Sequence, residues 1–185
     1  MDKDRAEKAV REILEAVGRE HLNDEVLAHT PRRVAAAYAE FFEQIDRDPA
    51  DVLEVVYQEE YEEMIAMRGI TFHSICEHHL LPFVGTADIV YLPRDGRIVG
   101  ASKLARAVDI AASRPQLQER LTQQIADAFV KKLNPLGVLV RLQATHMCMT
   151  LRGVRKPGSQ MVTSAIRGSF YANAAQRAEA LTLIS

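Results

Sequence analysis

Nowhere does the sequence hold an uninterrupted apolar run approaching the ~18 residues that span a membrane. Met1-Asp2-Lys3-Asp4-Arg5 leads into no apolar signal region, so the chain reads as cytoplasmic and without a membrane partner. An excess of one charge is missing as well. Lys and Arg number 23 against 25 Asp and Glu, a net charge of −2, which argues against a general nucleic-acid or polyanion binder and leaves only local basic clusters. There is no internal repeat and no low-complexity stretch. Cysteine is scarce, with only Cys76 and Cys148, and 185 residues can bury a core without disulfide staples. The expectation is a single domain over 1–185, with a helical N-terminal part (1–55) and a catalytic part (56–185).

What is present is patterned. Ala6, Ala9, Val10, Ile13, Leu14 and Val17 form one helical stripe. Thr30-Pro31 reads as a cap followed by proline at the first position of a second helix, and a short third one begins near Pro49. From about residue 63 the period becomes two, placing Ile70, Phe72 and Cys76 on one strand face, with His73 on the other. A second strand covers 83–92 and turns at Pro93-Arg94-Asp95-Gly96. Ser102 caps a helix that Arg114-Pro115 interrupts, and Leu117, Leu121, Ile125 and Phe129 mark the next. A strand over 138–150 carries Val138, Val140, Leu142, Ala144, His146 and Cys148 on one face. A last strand (161–171) and helix (172–182) complete an α+β pattern with a mostly antiparallel sheet.

Cys76-Glu77-His78-His79 sets a thiolate and an imidazole close together in a turn leaving a strand, a spacing that lets both reach one zinc ion. Cys148, on a strand whose face also carries His146, would supply the distant ligand. Three protein ligands leave the fourth position open, as in a catalytic site. Spacing does not choose between His78 and His79, and the cysteines could instead be buried apolar residues or a disulfide pair.

Phe72-x-Ser74-x-Cys76-Glu77-His78-His79-Leu80-Leu81-Pro82-Phe83 resembles the signature of the GTP cyclohydrolase I family. The resemblance continues in register through Gly100-x-Ser102-Lys103-Leu104-x-Arg106, Gln118-Glu119-Arg120, His146-x-Cys148-Met149, Arg152-Gly153-Val154 and Thr163-Ser164, with Thr30-Pro31-x-Arg33-Val34 upstream. It implies the tunnelling fold: a four-stranded antiparallel sheet backed by helices, joined with its copies into a barrel in a homodecamer of two stacked pentamers. It also implies zinc-dependent hydrolysis of GTP to 7,8-dihydroneopterin triphosphate and formate, with a zinc-activated water attacking carbon 8 of guanine.

By resemblance Cys76, His79 and Cys148 hold the metal, while His78 and His146 act as general acid and base. Glu119 accepts N1–H and the 2-amino group of guanine, with Gln118 as a neighbouring contact. Ser102, Lys103 and Arg106 at a helix start, with Arg152 and Arg33, take the triphosphate. Two rival readings are another enzyme of the same fold acting on a purine or pterin, and a zinc-bearing module without catalysis. The first lacks this combination of motifs, and the second would have lost the non-ligand histidines or the basic cluster.

Overall fold

The computed structural model describes residues 1–185, with side chains at every position but 55 and 56, and the chain divides into two units, Met1–Glu43 and Gln44–Ser185. In the first unit α1 (Lys3–Val17) is capped by Asp2, whose carboxylate accepts from Arg5 N–H at 3.0 Å. The second helix, α2 (Asp24–Phe41), starts well before Thr30-Pro31. Asn23 caps it, accepting from Val26 N–H at 2.8 Å, and Asp24 and Glu25 favour the positive end of the helix. Pro31 therefore lies inside a helix and not at its first turn. The carbonyl that its missing N–H would serve is that of Leu27, and Arg11 Nη1 donates to it at 3.2 Å from α1.

In the second unit a 3₁₀ turn (Pro49–Val52), capped by Asp48, precedes a small antiparallel pair of β1 (Val55–Gln58) and β4 (Arg97–Val99). The main sheet has five strands in the order β5-β2-β3-β6-β7. These are β2 (Ile65–Cys76), β3 (Pro82–Leu92), β5 (Pro115–Gln116), β6 (Gly137–His146) and β7 (Met161–Gly168). The expected four antiparallel strands are joined by one more: β5 runs parallel to the end of β2, pairing Ile75 with Pro115 and Cys76 with Gln116. A two-residue strand has no periodicity to read. The helices are α3 (Ala101–Ala112), α4 (Gln118–Leu133), α5 (Met147–Thr150), α6 (Ser169–Ala172) and α7 (Ala174–Leu183). Gly100, not Ser102, is the N-cap of α3, its carbonyl accepting from Lys103 N–H at 2.8 Å.

Alternation along β3 and β6 divides the core. Ile89, Tyr91, Val138, Val140 and Leu142 join Leu121, Ile125 and Phe129 of α4, while Val90, Leu92 and Leu139 pack with Phe170 of α6, Ala180 of α7 and Ile184 just after it. Toward the other end of the strands, Thr71, His73, Val84 and Val162 are exposed, so one face of the sheet is uncovered there. At that same end β2, β3 and β6 converge on the turn at residues 76–81 and on the start of α5. No helix of the described residues is long and apolar enough to cross a membrane.

Candidate metal centre and active site

β2 ends at Cys76 because the chain folds back on itself. Cys76 N–H donates to Leu81 O and Leu80 N–H to Cys76 O, both at 2.9 Å, with Leu80 in the left-handed region at φ 52°. The turn leaves Cys76 buried and His78 and His79 exposed. It also sets His79 Nδ1 4.0 Å from Cys76 Sγ. Cys148 arrives differently from the expectation. β6 stops at His146, and Cys148 sits on the single turn of α5, not on the strand. One helical turn swings its sulfur toward the loop, and the ligating atoms of Cys76, His79 and Cys148 all lie within 4.8 Å of one another.

This set suits zinc. Bonds of about 2.3 Å to sulfur and 2.0–2.1 Å to nitrogen in a tetrahedral site put donors roughly 3.5–3.8 Å apart, about 1 Å closer than the widest spacing here. Among the described residues no other group of His, Cys, Asp or Glu is so placed. Burial, and then the Cys76 sulfur, push the Cys148 thiol up from its ordinary value; a cation between the sulfurs would favour thiolates instead.

His146 is clamped. Its ring stacks on Phe83, its partner across the β3–β6 ladder, with centroids 4.5 Å apart and planes 2° from parallel. Its Nε2 lies 2.8 Å from Gln118 Oε1. The Gln118 side chain is 1% exposed, and its amide nitrogen donates to Leu142 O (3.3 Å), Met161 O (3.0 Å) and Thr163 Oγ1 (3.1 Å). Those acceptors orient the amide, so Oε1 must accept and Nε2 of His146 must carry the hydrogen. Burial lowers the His146 pKa, and the negative charge of nearby Glu119 opposes that effect. Glu119 itself is exposed in the first turn of α4.

The basic residues separate into groups. Arg152 Nη1 is 3.3 Å from His79 Nε2, beside the sulfur donors. Ser102 and Arg106 are exposed and Lys103 half-buried on the first turns of α3, none of them hydrogen-bonded or ion-paired to the cysteine–histidine group among the described residues. Arg33 belongs to α2 in the N-terminal unit, where Nη2 meets Glu25 Oε1 at 2.5 Å. Sequence reading passed over Phe83, Glu77 and Arg120. Phe83 is placed by pairing the two strands in register; Glu77 and Arg120 lie inside the motifs, but their spacing of 43 residues gives no sign that they pair.

Two thiols and an imidazole thus gather beside a clamped second histidine at one end of an α+β sheet, a donor set compatible with a metal ion. The chain belongs to the GTP cyclohydrolase I family, whose model matches residues 6–185. It is 56% identical over 183 residues to GTP cyclohydrolase 1 of Pelotomaculum thermopropionicum, covering 99% of this chain and 97% of that one. To the enzyme of the same name from Brevibacillus brevis it is 54% identical over 184 residues, covering 100% and 98%. For that from Streptococcus pyogenes serotype M49 the identity is 52% over 185 residues, with 100% and 95% covered. The crystal structure of the archaeosine synthase QueF-like protein in its apo form is similar over 59% of this chain and 97% of its own, with 15% identity and a TM-score of 0.48.

Proposed function

We infer that this chain hydrolyses GTP to 7,8-dihydroneopterin triphosphate and formate, in the cytoplasm, with zinc held by Cys76, His79 and Cys148. The observation that carries the reading is the convergence of those three donors within 4.8 Å, in a chain whose family model covers residues 6–185. When bound, the ion supplies Lewis acidity and so makes a hydroxide nucleophile available at neutral pH. Overall, two waters open the imidazole ring and release carbon 8 as formate, and one returns when the new ring closes.

The chain's own residues bind and move protons. The Glu119 carboxylate accepts the two donors on the guanine edge, N1–H and the 2-amino group. His146 exchanges its proton with substrate at Nδ1, because Nε2–H is engaged by Gln118 at 2.8 Å. Gln118 enters through that bond, behind Glu119. His78, exposed next to His79, is the second acid/base group. Arg152, Lys103 and Arg106 neutralise the triphosphate, to which Ser102 Oγ and the amide groups at the start of α3 donate; Arg33 is a further phosphate ligand.

The protein acts as a homo-oligomer, a decamer of two pentamers whose sheets close into a barrel. The outer edge of β2 before Ile75, the outer edge of β7 and the uncovered sheet face support this reading, since ring closure pairs and covers them. Light scattering should give a mass far above the 20.7 kDa of one chain, and active protein of 20.7 kDa would overturn the assembly. Both units of the chain, 1–43 and 44–185, serve this one enzyme as a single functional domain. Incubation with GTP, oxidation and pterin fluorescence test the activity, with metal analysis alongside. Fluorescence with about one zinc per chain is expected, whereas a zinc-loaded protein that leaves GTP intact would instead be a non-catalytic module.

A further inference from the structure

The turn that carries two of the three metal donors is fastened from outside by a network that the reaction chemistry does not use. Glu77 stands between Cys76 and His78. Its backbone N–H donates to Gln116 O at 3.0 Å, and its carboxylate Oε2 accepts from Arg120 Nη2. The same guanidinium donates from Nη2 to Pro115 O at 3.1 Å and from Nε to Gln116 Oε1 at 3.0 Å. Gln116 is fully buried, and its amide nitrogen is held by Ala111 O at 2.9 Å and Gln124 Oε1 at 2.7 Å. Arg120 thus bridges a rigid anchor to a residue adjacent to a metal donor, and it does so from α4, one position after Glu119.

We propose that Arg120 and Glu77 are positioning residues of the metal centre, holding the Cys76–His79 turn in the geometry that closes on the ion. This rests on the reading of Cys76, His79 and Cys148 as the metal ligands. The planar fork of arginine suits the task, since it fixes an orientation as well as supplying charge. The side chains are 40% and 31% exposed, so the pair adds little to the stability of the fold. Its effect falls on how far the donors are preorganised, and partners that orient metal ligands typically govern affinity by about 10- to 100-fold.

The test is zinc affinity of the purified full chain, measured by competition with a chromophoric chelator, for wild type, Arg120→Ala, Glu77→Gln and the double variant, with melting temperatures of the metal-free proteins. Glu77→Gln keeps the shape of the side chain and covers the case in which Arg120→Ala fails to fold. The expected result is a 10- to 100-fold loss of zinc affinity in each single variant, no further loss in the double, and metal-free melting temperatures close to wild type. Arg120→Lys, which retains the charge without the fork, should recover only part of the affinity. Wild-type zinc affinity in Arg120→Ala and Glu77→Gln would overturn the proposal alone. A wild-type chain that binds no zinc would overturn the metal site, and the proposal with it.

Discussion

Gln118 Oε1 lies 2.8 Å from Nε2 of His146, and it is the atom of that buried amide left over once the nitrogen has taken its three acceptors. The glutamine therefore selects which histidine nitrogen faces it as a donor. The stacked Phe83 ring restricts the imidazole about the remaining axis.

A consequence is a split between kcat and KM. Gln118→Leu removes the acceptor that holds His146 Nε2, so if Gln118 acts through His146 kcat for GTP should fall about 10- to 100-fold with KM little changed. The loss of the two buried N–H donors that serve those acceptors should also cost about 1–3 kcal/mol in urea unfolding. A raised KM at unchanged kcat would make Gln118 a direct substrate contact.

Glu119 should decide the base. Adenine offers an acceptor at N1 and no 2-amino group, so ATP should be rejected on the order of 10⁴-fold. Glu119→Gln keeps the shape and can place a donor against a donor. Its kcat/KM for GTP should drop by about 30- to 1000-fold, roughly 2–4 kcal/mol. Zinc content and oligomer size should be unchanged, because Glu119 is neither a ligand nor part of the core. Near-wild-type turnover of GTP by Glu119→Gln would mean that another group reads the base.

The acid side of the stability profile has a named contributor. Asp48 meets Lys131 Nζ at 2.5 Å across the second unit. The bond from Lys131, followed by that from Ala50 N–H, holds its carboxyl below the ordinary value of 3.8. A folded-state pKa below the unfolded one stabilises the fold above the unfolded value, and that stability is lost as pH falls through the folded value. Asp48→Asn retains an oxygen for the Ala50 N–H cap and removes the charge. Urea midpoints of wild type and Asp48→Asn should therefore differ near neutral pH and converge below pH 3.8; a constant gap would assign the effect to the cap.

The elements that were legible in advance were those with a strong period. The stripe of Ala6 to Val17 is α1, and the alternation of Ile70, Phe72 and Cys76 is the buried face of β2. Local competition defeated the rest. Asn23 outbids Thr30 as a cap because two acidic residues follow it, and Arg11 compensates the proline that then falls inside α2. An even spacing of residues made 138–150 look like one strand, yet the chain turns helical at Met147, and this turn is what brings Cys148 to the other donors. Gln118 opens a helix, and only the resemblance gives it a role there. Its burial is set by β6 and β7, which no local pattern reveals.

Formate release from GTP labelled with carbon-13 at position 8 bears most directly on the central claim, that this centre opens the guanine ring. Wild-type protein should yield one labelled formate for each pterin formed, and Cys148→Ser should lose most of its zinc and its formate together. Consumption of GTP with release of phosphate and no labelled formate, or a Cys148→Ser protein with full zinc and full formate yield, would contradict the account.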